Sequence, residues 1–192
     1  SDLGDGKYGF GVADVSGKGI KSSLLMSKAS SLYRCLSKTI FSASSLLKIL
    51  NDEICETTTR GMFVTMIVGV YDKNKNELLL SNAGHEPPLI FSSDGKFKTV
   101  DEAGPPLGIA PNFKFTEQTI SFKESSMYIF TDGITEMKNT NGDMLGQEGF
   151  QDYIKKYQST PNNIRLQKII EDLISSGRIQ KDDLTIVAID GK

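Results

Sequence analysis

The first pattern along the chain is an apolar, aromatic-rich run with small residues that starts at Tyr8 and ends in Asp14, followed by a Gly-rich turn, Ser16 to Gly19. It predicts a strand and a tight loop that feeds a helix. From Ile20 to about Lys38 the period changes: Leu25, Ala29, Leu32 and Leu36 recur at i, i+4, i+7 and i+11, the stripe of one helical face. Ser42 to Ser45 offer N-caps for a second helix that turns Leu46, Leu47, Leu50 and Ile54 inward. Strand patterns begin at Met62. MFVTMIVGVYD and ELLLSNAG flank the polar turn Lys73 to Asn76 and predict a hairpin, and PPLIF and KFKTV around SSDG predict another. Lys114 to Phe122 alternates, and Ser126 to Thr131 has the character of a buried strand. The polar segment Glu136 to Gly146 reads as a mobile loop, and Phe150, Tyr153, Ile154 and Tyr157 mark a short helix. Thr160 and Pro161 are expected as N-cap and first residue of a last helix burying Ile169, Ile170, Leu173 and Ile174. A final strand lies within QKDDLTIVAI. Short hairpins between helical ends give an α+β class dominated by antiparallel sheet. With no internal repeat or low-complexity linker, one domain over residues 1–192 is expected.

The pattern changes meaning where the carboxylates fall. Asp14 ends one apolar run, Asp132 ends another (YIFTDG), and Asp182 precedes the final strand. If that strand runs antiparallel to the other two in one sheet, all three carboxylates reach the same edge. Convergent carboxylates without paired Cys or His suit a hard cation, Mg²⁺ or Mn²⁺. Each alone is an ordinary turn residue, and only the combination argues for a metal. The Gly-rich loop before the first helix presents N–H groups and a positive dipole end to phosphate. Lys18 between Gly17 and Gly19 invites a P-loop reading, but Val12 stands where the motif needs Gly, and Gly19 replaces the metal-binding hydroxyl.

Composition removes several function classes. At 192 residues, 38% hydrophobic and a net charge of −2, the chain shows no basic stripe and is not read as a nucleic-acid binder. Cys35 and Cys55 lack metal spacing and are expected to be reduced core thiols of a cytoplasmic protein. No apolar run approaches a membrane span, and no signal peptide is visible, so membrane insertion is not expected. The opening SDLGDG lacks an initiator Met and reads as the start of a fragment of a longer protein.

DVSGKG, NAGH (Asn82 to His85), PPLGI (Pro105 to Ile109), TDGITE and DDLTIVAI, in this order, resemble the SpoIIE/RsbU-type bacterial branch of the metal-dependent (PPM, type 2C) protein phosphatases. The resemblance covers nearly the whole chain. It implies two stacked antiparallel β-sheets flanked by helices, with a metal site at one edge of the sandwich. It further implies two Mn²⁺ or Mg²⁺ ions: Asp14 bridging them, the Val15 backbone carbonyl on the second, and Asp132 and Asp182 on the first. Ions about 3.5–4 Å apart must share oxygen donors, hence the bridge. Gly17 and Lys18 would face the substrate phosphate, with Lys18 as readily a solvated loop cation. Asp183 is assigned to hydrogen bonding and Glu136 to an exposed loop charge. His85, the only histidine, is either a structural residue bonding nearby backbone or lies near the site, where the wider family often carries an Asp; general acid catalysis is its minor reading.

Family members also carry a Gly-Gly-Asp strand just before the segment that begins here at Ser1, and Asp2 and Asp5, in a loop-like stretch, are poor substitutes for it. The implied reaction is hydrolysis of phosphoserine or phosphothreonine on a small regulator of the anti-anti-sigma type. An upstream sensor or receiver region would set its activity, and the switch would span Ile20 to Thr58. The alternative is a catalytically silent module of the same fold that binds a phosphoprotein, against which the three retained carboxylates argue. A receiver domain is contradicted by the central hairpins.

Overall fold

In a computed structural model of the chain, describing residues 1–58, 61–100 and 103–191, the strands sort into two antiparallel sheets. Five strands, β1 (Asp2–Gly4), β2 (Lys7–Val15), β3 (Val64–Asp72), β4 (Glu77–Ala83) and β7 (Gln118–Ser121), form one sheet in that order. The other runs β6 (Phe97–Thr99), β5 (Leu89–Ser92), β8 (Ser125–Phe130), β9 (Ile186–Asp190). Helices are α1 (Ile20–Leu36), α2 (Ala43–Cys55), α3 (Asp132–Thr135), α4 (Gly146–Lys156) and α5 (Asn162–Ser175). Each sheet belongs to its own unit: Ser1–Pro87, Asp101–Glu124 and Gly191–Lys192 make the first, Pro88–Val100 and Ser125–Asp190 the second. The class is α+β with antiparallel sheets, as the hairpin pattern predicts. The supposition of a single sheet for the three carboxylate-bearing strands is overturned, because β2 joins one sheet and β8 and β9 the other. An apolar run ending in Asp specifies a strand but not its partner. All nine residues of β2 pair with β3, while β8 is taken up by β5 and β9.

In the first unit, the period-3.6 stripes do what they predict. Leu46, Leu47, Leu50 and Ile54 of α2 are buried with Leu25 and Ala29 of α1 against Val64, Met66 and Val68 of β3. Ser42 caps α2 by accepting from the Ser45 N–H. Residues i and i+2 of a strand share a face, so Ala13 and Val15 lie with this helical core while Asp14 lies on the other face of β2. Three expectations shift. The SDLGDG segment contains β1, folded onto β2 through a turn with Asp5 and Gly6 at positive φ. The alternation of Lys114 to Phe122 yields strand only over Gln118–Ser121. Cys35 is exposed and Cys55 half-buried, so neither is a core thiol; both are free. Burial pushes the Cys55 thiol up, which keeps it protonated at neutral pH.

In the second unit, Tyr128 and Phe130 of β8 pack with Ile134, Phe150, Ile154, Ile169 and Leu173 of the three helices, the Phe130 and Phe150 rings meeting edge-on at 4.9 Å. Arg165 is buried on α5, its Nη2 2.5 Å from Asp190 Oδ1 at the end of β9 and its guanidinium 5.5 Å over the Tyr128 ring. Pro161 is the N-cap of α5 rather than its first helical residue, and Thr160 lies outside, because the Pro161 carbonyl accepts the Arg165 N–H. Ile174 on that helix is exposed. The segment expected as a loop after Asp132 is structured: α3 makes one turn, and Lys138 pairs across to Met144 and Ile179. Among the described residues no helix is long and apolar enough to cross a membrane.

Candidate functional site

In the first unit, Asp14 is held by the strand ladder. It pairs with Thr65, and the Val15 N–H donates to Asp14 Oδ1 at 2.9 Å. The Val15 carbonyl follows from the pairing. Val64 exchanges both backbone hydrogen bonds with Leu107, at 3.0 and 2.8 Å, so its N–H and C=O point away from β2. In an antiparallel ladder, Val15 opposite it then also turns its N–H and C=O outward, away from β3. On that side β1 pairs only as far as Tyr8, with Gly9 donating to Ser1, so among the described residues no strand covers the Val15 carbonyl.

His85 is buried, and the Asn82 side chain brackets its backbone, accepting its N–H at 2.8 Å and donating to its carbonyl at 3.0 Å. Its Nδ1 lies 3.0 Å from Thr65 Oγ1, and that hydroxyl lies 3.4 Å from the Asp14 carbonyl. The histidine thus reaches Asp14 through a threonine. Gly84, at φ +67, would put a Cβ 2.6 Å from the Pro106 ring, so NAGH and PPLGI are read together as one close contact. After Asp14, Ser16 turns the chain: its N–H donates to the Phe63 carbonyl, its Oγ accepts from the Phe63 N–H, and its carbonyl accepts from Ser22 Oγ. Gly17, at φ +80, and Lys18 are exposed in the turn before α1, whose N-cap, Gly19, supplies no side chain.

In the second unit, Asp132 opens α3 and is exposed, as is Asp182. Their loops are brought together by Gly133, where a Cβ would stand 2.2 Å from the Asp183 carbonyl oxygen. Only glycine permits that approach. Thr131 closes the same contact, donating its hydroxyl to the Asp183 carbonyl and accepting the Thr185 N–H, each at 3.2 Å. The Asp183 N–H donates to Asp182 Oδ1 at 3.0 Å, and Gln180 Nε2 donates to the Asp182 carbonyl, also at 3.0 Å. Asp183 acts here through its backbone, and Glu136 is exposed after α3. Thr65, Thr131, Asn82 and Gly133 are absent from the sequence-derived set. Gly133 and Thr131 could have been found from their places on either side of Asp132, but Thr65 acts across strands and leaves no local signal.

The donors offered in both units, carboxylates and a backbone carbonyl, are oxygens, which fit Mg²⁺ or Mn²⁺ and not a thiolate-seeking metal. Within either unit, among the described residues, no three His, Cys, Asp or Glu side chains group as a metal site.

A family model described as Stage II sporulation protein E (SpoIIE) matches residues 4–192. Phosphoserine phosphatase RsbU of Bacillus subtilis is 29% identical over 181 residues, covering 93% of the chain and 54% of RsbU. The chain therefore spans about half the length of that relative. The crystal structure of the RsbU and RsbW domains of Rv1364c from Mycobacterium tuberculosis superposes with a TM-score of 0.82 at 25% identity, covering 97% of the chain and 52% of that one. The PP2C phosphatase domain of SpoIIE from Bacillus subtilis, solved with a fragment of its regulatory domain, gives 0.81 at 20% identity, over 98% of the chain and 56% of that one. The fold is that of PP2C phosphatases.

Proposed function

Since the chain belongs to the SpoIIE family, we propose that it hydrolyses phosphoserine or phosphothreonine on a protein with divalent metal, Mn²⁺ or Mg²⁺. The observation that carries this reading is the Gly133–Asp183 approach, which sets Asp132 and Asp182 on adjoining loops of oxygen donors. We assign Asp14, Asp132 and Asp182 to one ion, and Asp14 with the Val15 carbonyl to a second. Bound, the ions would supply Lewis acidity, lowering the pKa of water so that hydroxide is available at neutral pH, and would offset charge on the phosphoryl oxygens.

The chain's own residues do the positioning. The Val15 N–H fixes one Asp14 oxygen, the Thr65 hydroxyl stands between His85 and the Asp14 carbonyl, and Thr131 holds the Asp183 backbone beside α3. Gly17 and Lys18 would receive the substrate phosphate at the α1 N-terminus. His85, buried and backbone-bonded, serves position rather than proton transfer. The substrate would be a small cytoplasmic regulator of the anti-anti-sigma type; the RsbU–RsbW arrangement in Rv1364c supports that context.

Hydrolysis of p-nitrophenyl phosphate with Mn²⁺ and with EDTA, beside Asp132→Asn, tests the reading. Activity that needs Mn²⁺ and falls at least about 100-fold in the variant is expected, on the scale of a removed electrostatic stabiliser. Unchanged turnover in Asp132→Asn overturns it; a folded but inactive wild type calls for the same assay on a longer chain carrying the family's Gly-Gly-Asp strand, and failure there too would point to a silent phosphoprotein-binding module.

A further inference from the structure

Beside the Asp132 and Asp182 loops, the second unit carries a short three-stranded row that the phosphatase reading leaves unused. Lys138 lies directly opposite Met144 on one side and Ile179 on the other. Directly opposed residues project from the same face, so the row reads apolar, cationic, apolar. The row is well fastened. The Ile179 N–H donates to the Lys138 carbonyl at 2.8 Å, and the Lys138 N–H to the Ile179 carbonyl at 3.4 Å. On the other side the Asn139 N–H reaches the Asp143 carbonyl at 3.0 Å and the Leu145 N–H the Met137 carbonyl at 2.8 Å. Arg178 Nη1 donates across both strands, to the Met137 carbonyl at 3.3 Å and the Asp143 carbonyl at 3.5 Å. Yet Met144 and Ile179 are each 55% exposed. Two large apolar side chains held open on either side of a cation offer apolar contact around a positive charge.

Its place gives the occupant. Lys138 follows Asp132 across the single turn of α3, and Ile179 precedes Asp182 by only Gln180 and Lys181. Extended chain covers about 3.3 Å per residue, so Ile179 lies within about 10 Å of Asp182 along the backbone. A protein segment presenting a phosphoserine to these carboxylates has the row within reach of positions about three residues from the phosphorylated one. We propose, resting on the phosphatase reading above, that Met144, Lys138 and Ile179 dock the substrate segment. They select an acidic residue, for Lys138, and an apolar one, for Met144 and Ile179, within three positions of the phosphoserine. A small aryl phosphate lacks the flanking residues that the row would select.

Three synthetic phosphoserine peptides test this: one with Glu and Leu within three positions of the phosphoserine, one with Lys and Leu, one with Glu and Ala. Their kcat/KM values are compared with p-nitrophenyl phosphate on wild type, Lys138→Glu and the double variant Met144→Ser, Ile179→Ser, after thermal melts show each variant folded. In Lys138→Glu the Glu peptide loses about two- to fivefold and the Lys peptide gains about as much, the scale of an exposed charge pair. The double variant erases a Leu-over-Ala preference of about three- to tenfold, as expected for partial burial of one side chain. Activity on p-nitrophenyl phosphate stays within about twofold throughout. Peptide preferences unchanged across the variants, with aryl phosphate hydrolysis intact, overturn the docking surface. Absent aryl phosphate hydrolysis would count against the phosphatase reading alone, because peptide Kd values by calorimetry still decide the docking: the same order of loss supports it, and equal Kd across variants overturns it.

Discussion

The two units support their carboxylates in opposite ways. Asp14 is embedded in a strand whose nine residues all pair with β3, so its backbone is fixed many times over. Asp132 and Asp182 stand on a one-turn helix and an irregular loop, both exposed, joined by the close approach beside Gly133 and the few hydrogen bonds of Thr131. Redundant ladder bonds spread the consequence of any one change. A few contacts around one close approach concentrate it. The first unit should therefore tolerate substitution around its carboxylate, and the second should not.

The largest effect is expected at Gly133→Ala. A Cβ 2.2 Å from the Asp183 carbonyl cannot be accommodated without moving backbone, and a cost of about 3 kcal/mol or more is expected, at the upper end of overpacking. Denaturant unfolding and Mn²⁺ titration should both register it, and a variant within 1 kcal/mol of wild type by the same scale would end the contrast. Next comes Thr65→Val, which removes the hydroxyl between His85 and the Asp14 carbonyl at almost constant shape. A stability loss of about 1–2 kcal/mol is expected, with a higher Mn²⁺ concentration for half-maximal binding, and Thr65→Ser should restore both. A loss matching that of Gly133→Ala would show that the ladder does not share the load.

The smallest effect lies away from both sites. Hydrogen bonds from Lys156 and Tyr157 hold the Asp172 carboxyl below its usual range, though burial opposes them. A carboxylate depressed in the folded state contributes stability that is present above its unfolded value and is lost as pH falls through the folded one. Asp172→Asn should therefore lower Tm slightly at neutral pH and leave the acid end almost unchanged, flattening the acid side of the Tm–pH curve, with a small effect because the pair is on the surface. A variant curve as steep as wild type below pH 4 would deny the pair any role, 3.8 being the ordinary value for the group.

Much of the fold was legible because its signals are local. Leu46, Leu47, Leu50 and Ile54 declare a helix face by spacing alone, and all four are buried. The turn Lys73 to Asn76 joins β3 to β4, with Asn76 at φ +51 and the Asp72 carboxylate accepting the Asn74 and Lys75 N–H groups. Sheet membership was not legible, since β2 and β8 carry the same kind of apolar run and their partners come from distant sequence. Nor was the buried Arg165, whose ion pair with Asp190 and ring contact with Tyr128 exist only once α5 has docked. At the candidate site the carboxylates stand out as residue types at strand ends. What holds them does not: the Thr65 hydroxyl and the outward Val15 carbonyl are products of register, which no single strand encodes.

The glycine after Asp132 also bears on how a mutational library of this chain should be scored. Selection for activity alone would return Gly133 as intolerant as any carboxylate, although it has no side chain with which to do chemistry. Scoring protein abundance in the same cells would part the two: Asp132 variants should accumulate to normal levels while inactive, and Gly133 variants should disappear from both measurements.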